Sequence, residues 1–201
     1  VRDNVLSVSD LLVRTVGGSS VKPSQPAGYY RHLNFPKRVY APHLDQRQYQ
    51  RGVYVHWQRQ FLHPMLKALD APSREECTAQ RARSNTPLEA LVMLNDPAMI
   101  DAAVAFAAAL LKVEEEDSGA KIKRAFELTV SRQPDTFELA ALSKLLESEI
   151  KHYRSQPEDA VKLLDTIDKN IDIESVNPQQ LAAWTTLTRA LLNLQETVTR
   201  Y

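Results

Sequence analysis

The sequence predicts a mainly α-helical protein, a helical bundle with a long Pro-rich ordered loop region packed on it. Apolar residues recur every three or four positions through most of residues 96–201, as one face of a helix requires. Asn, Asp or Thr followed directly by Pro recurs before these segments, which is typical of helix starts. With 25 Lys and Arg, 25 Asp and Glu and 43% hydrophobic residues, the composition is that of an ordinary globular protein.

Charge divides the chain into two parts. Residues 1–95 contain 13 Lys and Arg against 7 Asp and Glu, whereas residues 96–201 contain 12 against 18. We interpret residues 1–201 as a single domain with a basic, loop-rich sub-region (1–95) and an acidic helical bundle (96–201). The opposite charges of the two sub-regions are expected to attract each other.

The first part begins with a predicted helix over residues 2–16, ended by two glycines. Residues 19–42 contain four prolines and little periodicity, which predicts a loop packed by its own aromatic side chains, Tyr29, Tyr30, Phe35 and Tyr40. Aromatic and apolar residues at fourfold spacing predict a helix over residues 46–61, with a strand at 53–55 as the alternative.

Helix starts in the rest of the chain are predicted from capping chemistry. The expected starts are Thr86-Pro87, Asp96-Pro97 and Asn177-Pro178, with capping boxes at Asp135/Glu138 and Ser155/Glu158. Further helices are predicted over residues 121–131 and 158–168. The apolar stripes that follow these starts predict a bundle.

Several classes of function are disfavoured. Zero formal net charge argues against a nucleic-acid partner, and the longest nearly apolar run, 98–111, is too short to cross a bilayer, so no transmembrane segment is expected. Cys77 is the only cysteine, which excludes an internal disulfide and suggests a buried small thiol. The histidines lack ligand spacing, so we predict no metal site, and no pattern identifies a catalytic residue.

Three arginines lie within ten residues of one another: Arg74, Arg81 and Arg83. Guanidinium groups bind carboxylates and other oxyanions in a bidentate manner, so an anion site is one interpretation. The alternative is an internal network of ion pairs that joins this loop to the helix beginning near Pro87. We favour the internal network, because structural ion pairs are more frequent than binding sites.

If the arginines bind a ligand, other polar residues should line the same cleft. These binding candidates are Asn85, Asn95, Asp96, Lys22, Arg38, His56 and Trp57. In that hypothesis the arginines hold sulfate or carboxylate, Trp57 stacks on a sugar ring, and His56 is the proton carrier.

Several short segments together resemble a known family. They include Val1-Arg2-Asp3, Asn34-Phe35-Pro36-Lys37-Arg38, the run from Asp70 to Thr78, and Leu94-Asn95-Asp96-Pro97. The chain is similar to the C-terminal portion of the planctomycete-type domain of unknown function that follows a planctomycete cytochrome c domain in large exported proteins. The resemblance implies an exported, periplasmic or cell-envelope location. It implies no cofactor in this chain, since haem would belong to the neighbouring cytochrome domain.

Two hypotheses for function follow. The first is a non-catalytic helical docking module of a multidomain, cytochrome-associated exported protein. Its partners would be the N-terminal part of its own domain and the neighbouring cytochrome c domain, or a second copy in a homodimer if Val5, Leu12 and Val16 form an exposed face. The alternative is an anionic-saccharide-binding or hydrolytic domain that uses the Arg74, Arg81 and Arg83 cluster. We favour the non-catalytic role.

Overall fold

The computed structural model describes residues 1–32, 37–58, 61–73, 75–80, 82, 86–113 and 117–199. Its α-helices, in chain order, are α1 (Arg2–Val8), α2 (Pro64–Ala68), α3 (Pro87–Asn95), α4 (Pro97–Leu111), α5 (Ser118–Val130), α6 (Thr136–Ser155), α7 (Pro157–Leu164), α8 (Pro178–Leu192) and α9 (Gln195–Val198). Short 3₁₀ helices occupy Tyr29–His32, Gln46–Tyr49 and Gly52–Tyr54. No strand occurs in the described ranges beyond isolated bridges, and the mainly α-helical class is confirmed.

Asp96 joins the two sub-regions, because it ends α3 and also caps α4. Its carboxylate accepts a hydrogen bond from the backbone N–H of Ala98 at 3.0 Å, and Pro97 occupies the first turn of α4. Proline at this position loses no helical hydrogen bond and disfavours continuation of the preceding helix. The axes of α3 and α4 therefore differ by 57°.

Two hydrophobic cores share α4. The rear core contains the apolar faces of α4, α5, α6 and α8, with Phe106, Phe126 and Leu187 almost fully buried. The front core joins α1 to Met65 of α2, Met93 of α3 and the first turns of α4. Alanines on α4 allow α8 to lie close, and the Thr188 hydroxyl donates to the Ala103 carbonyl at 2.8 Å. Helix α4 thus contributes buried side chains to both cores.

The predicted capping chemistry is confirmed at four of its five positions. Thr86, Asp96, Asp135 and Asn177 each cap a helix through the side chain, and Asp135 forms the full capping box with Glu138. Ser155 does not cap α7: it is the last residue of α6, and its hydroxyl donates to the His152 carbonyl. Helix α7 also ends at Leu164 rather than near Asp168.

The front part contains less helix than predicted. Helix α1 ends at Val8 because Asp10 adopts a left-handed conformation, with φ of 59°, and the chain then turns toward Gln50. The predicted helix over 46–61 is not formed: its residues 46–58 form two short 3₁₀ helices and an extended stretch. Val55 in that stretch pairs with Val21 in an isolated parallel bridge, which agrees in part with the strand alternative.

Aromatic rings pack the long loop, as predicted. The ring centroids of Tyr30 and Tyr40 lie 5.2 Å apart, and Phe61 packs against both Tyr29 and Tyr30. Phe35, which was expected in this cluster, lies outside the described residues. The prediction that Cys77 is buried is wrong, since the thiol lies on an exposed loop.

No single helix in the described part of the chain is both long and apolar enough to cross a membrane. Taken together, α3 and α4 meet the length and composition criteria, but only as a pair with a 57° bend.

The close packing of α4 can be tested with Ala103→Leu. Ala103 is fully buried, so the added atoms have no room and the free energy of unfolding should fall by about 1–3 kcal/mol. Ala109→Leu is the matched control, because Ala109 is exposed on the same helix. Urea unfolding of both variants measures the difference; equal stability of the two would contradict the close approach of α4 and α8.

Candidate functional site

The predicted arginine cluster is not described by the structure. Arg74, Arg81, Arg83 and Asn85 all lie outside the described residues. Whether these side chains form an internal network or an anion site therefore stays a prediction. The other six binding candidates are described, and they occupy three different places.

Asn95 and Asp96 lie at the α3–α4 junction and have structural contacts. The Asn95 side chain donates to the Leu91 carbonyl one turn earlier, at 2.8 Å. Burial raises the pKa of the Asp96 carboxyl to about 6, although the hydrogen bond from Ala98 and the charge of Arg2 act in the opposite direction. Asp96 is thus a half-buried helix cap whose charge is not fully compensated.

Trp57 lines an open cleft of about 830 Å³. The cleft lies between the start of α1, the Gly52–Tyr54 turn, α2 and the loop that contains Pro72 and Ala79. The Trp57 indole N–H donates to the Ser73 carbonyl at 3.2 Å, which fixes the ring at the wall of the cleft. One wall is therefore aromatic.

Gly52 allows the cleft wall to approach α1 closely. Its backbone N–H donates to the Asp3 carboxylate at 2.7 Å, and a Cβ at this position would lie 3.3 Å from the same oxygen. Asp3 also lies 3.4 Å from the Arg51 guanidinium. A side chain at position 52 would press on Asp3, so glycine permits this contact.

Lys22, Arg38 and His56 form a separate basic group. Burial lowers the pKa of His56, and the nearby positive charges of Lys22 and Arg38 lower it further. None of the three lines the cleft beside Trp57, and none has an acidic partner among the described residues. The structure thus brings together three of the predicted residues, away from the cleft that Trp57 lines.

A buried polar cluster, which we call the joint, connects the front loops to the rear bundle. It consists of Tyr49, Asp101 and Asp168. The Tyr49 hydroxyl lies 2.8 Å from the Asp101 carboxylate and 3.0 Å from the Asp168 carboxylate. The backbone N–H of Asp168 donates to Asp101 at 2.9 Å. Three segments far apart in sequence therefore meet at one hydroxyl group.

The joint has one hydroxyl hydrogen for two carboxylate oxygens. Tyr49 therefore donates to one carboxylate at a time, and a proton on Asp101 would supply the second hydrogen bond. Burial raises the pKa of Asp101, and the nearby charge of Asp168 raises it further, although hydrogen bonds from Asp168 and Tyr49 oppose this shift. Burial and the two carboxylates likewise raise the pKa of Tyr49. The hydroxyl consequently stays protonated and acts as a donor.

Arg2 extends this polar structure to the cleft. Its buried guanidinium donates to the carbonyl oxygens of Gln48 at 2.5 Å and Gln50 at 2.7 Å. The Gln48 amide in turn donates to Asp168 at 2.6 Å. Helix α1 is therefore held to the same backbone segment as the joint.

Sequence reasoning missed the joint and Arg2. One signal was present, because Asp101 is a charged residue inside the apolar run 98–111, where a buried carboxylate requires donors. Nothing in the local sequence connects Asp101 to Tyr49 or to Asp168. In the described ranges, no group of three or more His, Cys, Asp and Glu residues is placed to hold a metal ion.

Comparison with known proteins gives a family and nothing finer. A model of the PSD1 family, described as a protein of unknown function (DUF1553), matches residues 1–146. The chain belongs to the PSD1 family. This family carries no assigned activity in its description, and the match includes the cleft, the basic group and Asp101 of the joint. No curated protein and no solved structure matches the chain.

The contribution of the joint to stability can be tested with Tyr49→Phe. Removing the hydroxyl leaves buried carboxylate oxygens short of a donor, so the free energy of unfolding should fall by about 1–3 kcal/mol. Tyr54→Phe is the control, because the Tyr54 hydroxyl only accepts an exposed hydrogen bond from Gly17. Urea unfolding at pH 7 compares the variants, and a loss in Tyr54→Phe as large as in Tyr49→Phe would argue against the joint.

The uncompensated charge of Asp96 predicts a pH dependence of stability. The folded pKa of about 6 lies above the ordinary value of 3.8, so the folded state binds the extra proton between these values. The stabilisation is complete below pH 4 and is lost as the pH rises through 6. When the pH rises from 5 to 7.5, the free energy of unfolding of the wild type should fall by about 1–2 kcal/mol relative to that of Asp96→Asn. The variant keeps a side chain that can cap the helix.

Comparing the wild type with Asp96→Asn also cancels the effect that another titrating group, His63, has on stability. Burial lowers the pKa of His63, which changes stability with the opposite sign in the same pH range, but equally in both proteins. Urea unfolding at pH 5 and pH 7.5 measures the four free energies. A stability difference that does not change between the two pH values would contradict the raised pKa of Asp96.

Proposed function

We propose that this chain is a non-catalytic docking module of a multidomain exported protein, and that the cleft beside Trp57 receives a segment of a neighbouring domain. The observation that carries the proposal is an open cleft of about 830 Å³ with a buried arginine in its lining. We further propose that the neighbour is a cytochrome c domain and that the protein is periplasmic or in the cell envelope. These two points rest on the family resemblance of the sequence.

Arg2 supports binding in the cleft through its positive charge. The side chain is 3% exposed, and its Nε atom has no hydrogen-bond partner among the described residues. A buried donor without an acceptor destabilises a protein by about 1–3 kcal/mol. Because the Nε atom is itself buried, a docked segment would interact with Arg2 through its positive charge and not through a hydrogen bond to Nε.

The apolar side of the cleft supports a polypeptide as the occupant. Val53 is 70% exposed there, beside the half-buried side chains of Trp57, Leu66 and Leu69. Protein partners bury apolar side chains against such a surface, with aromatic and arginine residues contributing most of the affinity. An apolar residue of the docked segment would fit the surface around Val53.

The position of the cleft favours a neighbour in the same polypeptide. Val1 lines the cleft, so in a longer polypeptide the residues joined before Val1 would leave from this point. Such residues are at high effective concentration near the cleft.

The hydrogen bonds that the buried polar side chains form support a non-catalytic role. Tyr49, Asp101 and Asp168 hydrogen bond to one another, and Arg2 donates to backbone carbonyls. These contacts join segments of the fold. The alternative function, saccharide binding or hydrolysis by the arginine cluster, depends on side chains outside the described residues.

Photo-cross-linking in the full-length natural protein tests the docking proposal. A benzophenone amino acid replaces Val53 in the cleft, and in a control protein it replaces Phe137, which is 79% exposed on α6. We expect irradiation to join position 53 to residues outside 1–201 of the same polypeptide, as identified by mass spectrometry of the peptides. Position 137 should give no such product.

Two results would overturn the proposal. Cross-links from position 53 to a second copy of residues 1–201 would assign the cleft to a homodimer. The absence of any cross-link from position 53 to residues outside 1–201 would show that the cleft is not a docking site for a neighbouring domain.

A further inference from the structure

The segment from residue 11 to residue 69 has an unusual charge balance. It contains nine Lys and Arg residues and one acidic residue, Asp45. The Asp45 carboxylate is engaged by the Arg47 guanidinium at 2.6 Å, which lowers the pKa of Asp45 to about 2. No other acidic side chain within the segment is available to neutralise its cations.

Three parts of this segment lie side by side and form what we call the basic layer, with Lys22, Arg38, His43 and His56. Backbone hydrogen bonds of 2.7 and 2.8 Å join Val21 to the 54–56 stretch. On the other side, Lys22 donates its N–H to the His43 ring at 3.0 Å, and His43 donates its N–H to the Lys22 carbonyl at 2.9 Å. The layer is therefore held by its backbone, and its charged side-chain ends are left for other contacts.

The contacts of the cations leave their charge uncompensated. Arg38 donates to the neutral amide oxygen of Gln58 at 2.5 Å, and the Lys22 ammonium lies 5.9 Å from the centre of the Tyr40 ring. Neither partner carries a negative charge. A neutral acceptor orients the guanidinium without neutralising it, so the remaining N–H groups of Arg38 are available to an anion.

Three cations in the rear half of the chain have acidic partners. Lys112, Arg132 and Lys162 each form an ion pair with an aspartate or glutamate at 2.7–2.8 Å. The basic layer differs from these three cations. Its positive charge is concentrated on one face and lacks an acidic partner among the described residues.

We propose that the basic layer binds a sulfated saccharide, with sulfate esters held by Arg38 and Lys22 and a third contact from His56. Guanidinium and ammonium groups form charge-assisted hydrogen bonds with such oxyanions. This surface is separate from the cleft beside Trp57, so the proposal is independent of the docking function.

Two features favour a saccharide over a nucleic acid. The aromatic rings of this region pack on one another, with centroids 5.2–6.2 Å apart, and the Tyr40 hydroxyl donates to the Pro23 carbonyl at 2.6 Å. The rings are therefore not free to stack on bases, which single-stranded nucleic acid binding requires. The excess of acidic residues over 96–201 also adds a repulsion that grows with the length of a polyanion, which disfavours a long phosphate backbone more than a short sulfated saccharide.

Calorimetric titration of the whole chain tests the proposal. The probes are a fully sulfated heparin hexasaccharide, the same hexasaccharide without sulfate, and a single-stranded DNA of twelve nucleotides, each at the same salt concentration. We expect the sulfated hexasaccharide to bind most tightly. The double variant Lys22→Ala/Arg38→Ala should weaken its binding about tenfold or more.

The matched control is Lys123→Ala/Lys151→Ala, which removes two exposed lysines from α5 and α6 and changes the net charge equally. It should change the affinity less than about twofold if the basic layer is the site. Circular dichroism melting of both double variants verifies that each is folded. Equal losses in the two variants, tighter binding of DNA, or no binding of the sulfated probe would overturn the proposal.

His56 provides a second readout. Lys22 and Arg38 are the charged groups that face it from the neighbouring segments, and with burial they keep its pKa below the ordinary value. A bound sulfate would favour the protonated ring, so affinity should rise as the pH falls from 7.5 to 5.5. His56→Gln should abolish this rise, and an unchanged pH dependence in that variant would exclude His56 from the site.

Discussion

The buried carboxylate of Asp101 constrains the arrangement of the whole molecule. It lies on α4 and is only 4% exposed, so it requires hydrogen-bond donors that its own helix does not supply. The donors come from Tyr49 and from the backbone of Asp168, which are 52 and 67 residues away in sequence. Because the penalty for an unpaired buried carboxylate is large, front loops and rear bundle are fixed to α4 at one point.

This constraint also positions the candidate surfaces. Gln48 bonds to Asp168 through its side chain and to Arg2 through its carbonyl, so the joint and α1 share one backbone segment. The same segment continues to Gly52, which contacts Asp3 at the cleft, and then to His56 in the basic layer. Besides its two short 3₁₀ helices, the 46–58 stretch is thus held in place by hydrogen bonds from other segments to its backbone atoms.

The rear helices were predictable because their determinants are local. A cap, a proline at the first turn and an apolar stripe all act within a few residues, and Thr86, Asp96, Asp135 and Asn177 function as expected. The front was predicted less well, because contacts between distant segments decide its conformation. The fourfold spacing of Tyr49, Val53 and Trp57 suggested one helical face, yet Tyr49 lies in the joint, whereas Val53 and Trp57 line the cleft. Local periodicity carries no information about such divergent contacts.

Sequence reasoning about charge has a similar limit, because it does not show which charged side chains lie close together. A formal net charge of zero argued against a nucleic-acid partner, but a net charge sums residues that never meet. Electrostatic attraction acts over about 8 Å in physiological salt, so an anion responds to the cations nearest to it and to whether acids already neutralise them. Arg132 bridges Glu138 and Glu196, whereas the hydrogen-bond partner of Arg38 among the described residues is a neutral amide. A count of composition treats these two arginines alike. Their partners differ: acids neutralise the charge of Arg132, whereas the amide partner of Arg38 does not neutralise its charge.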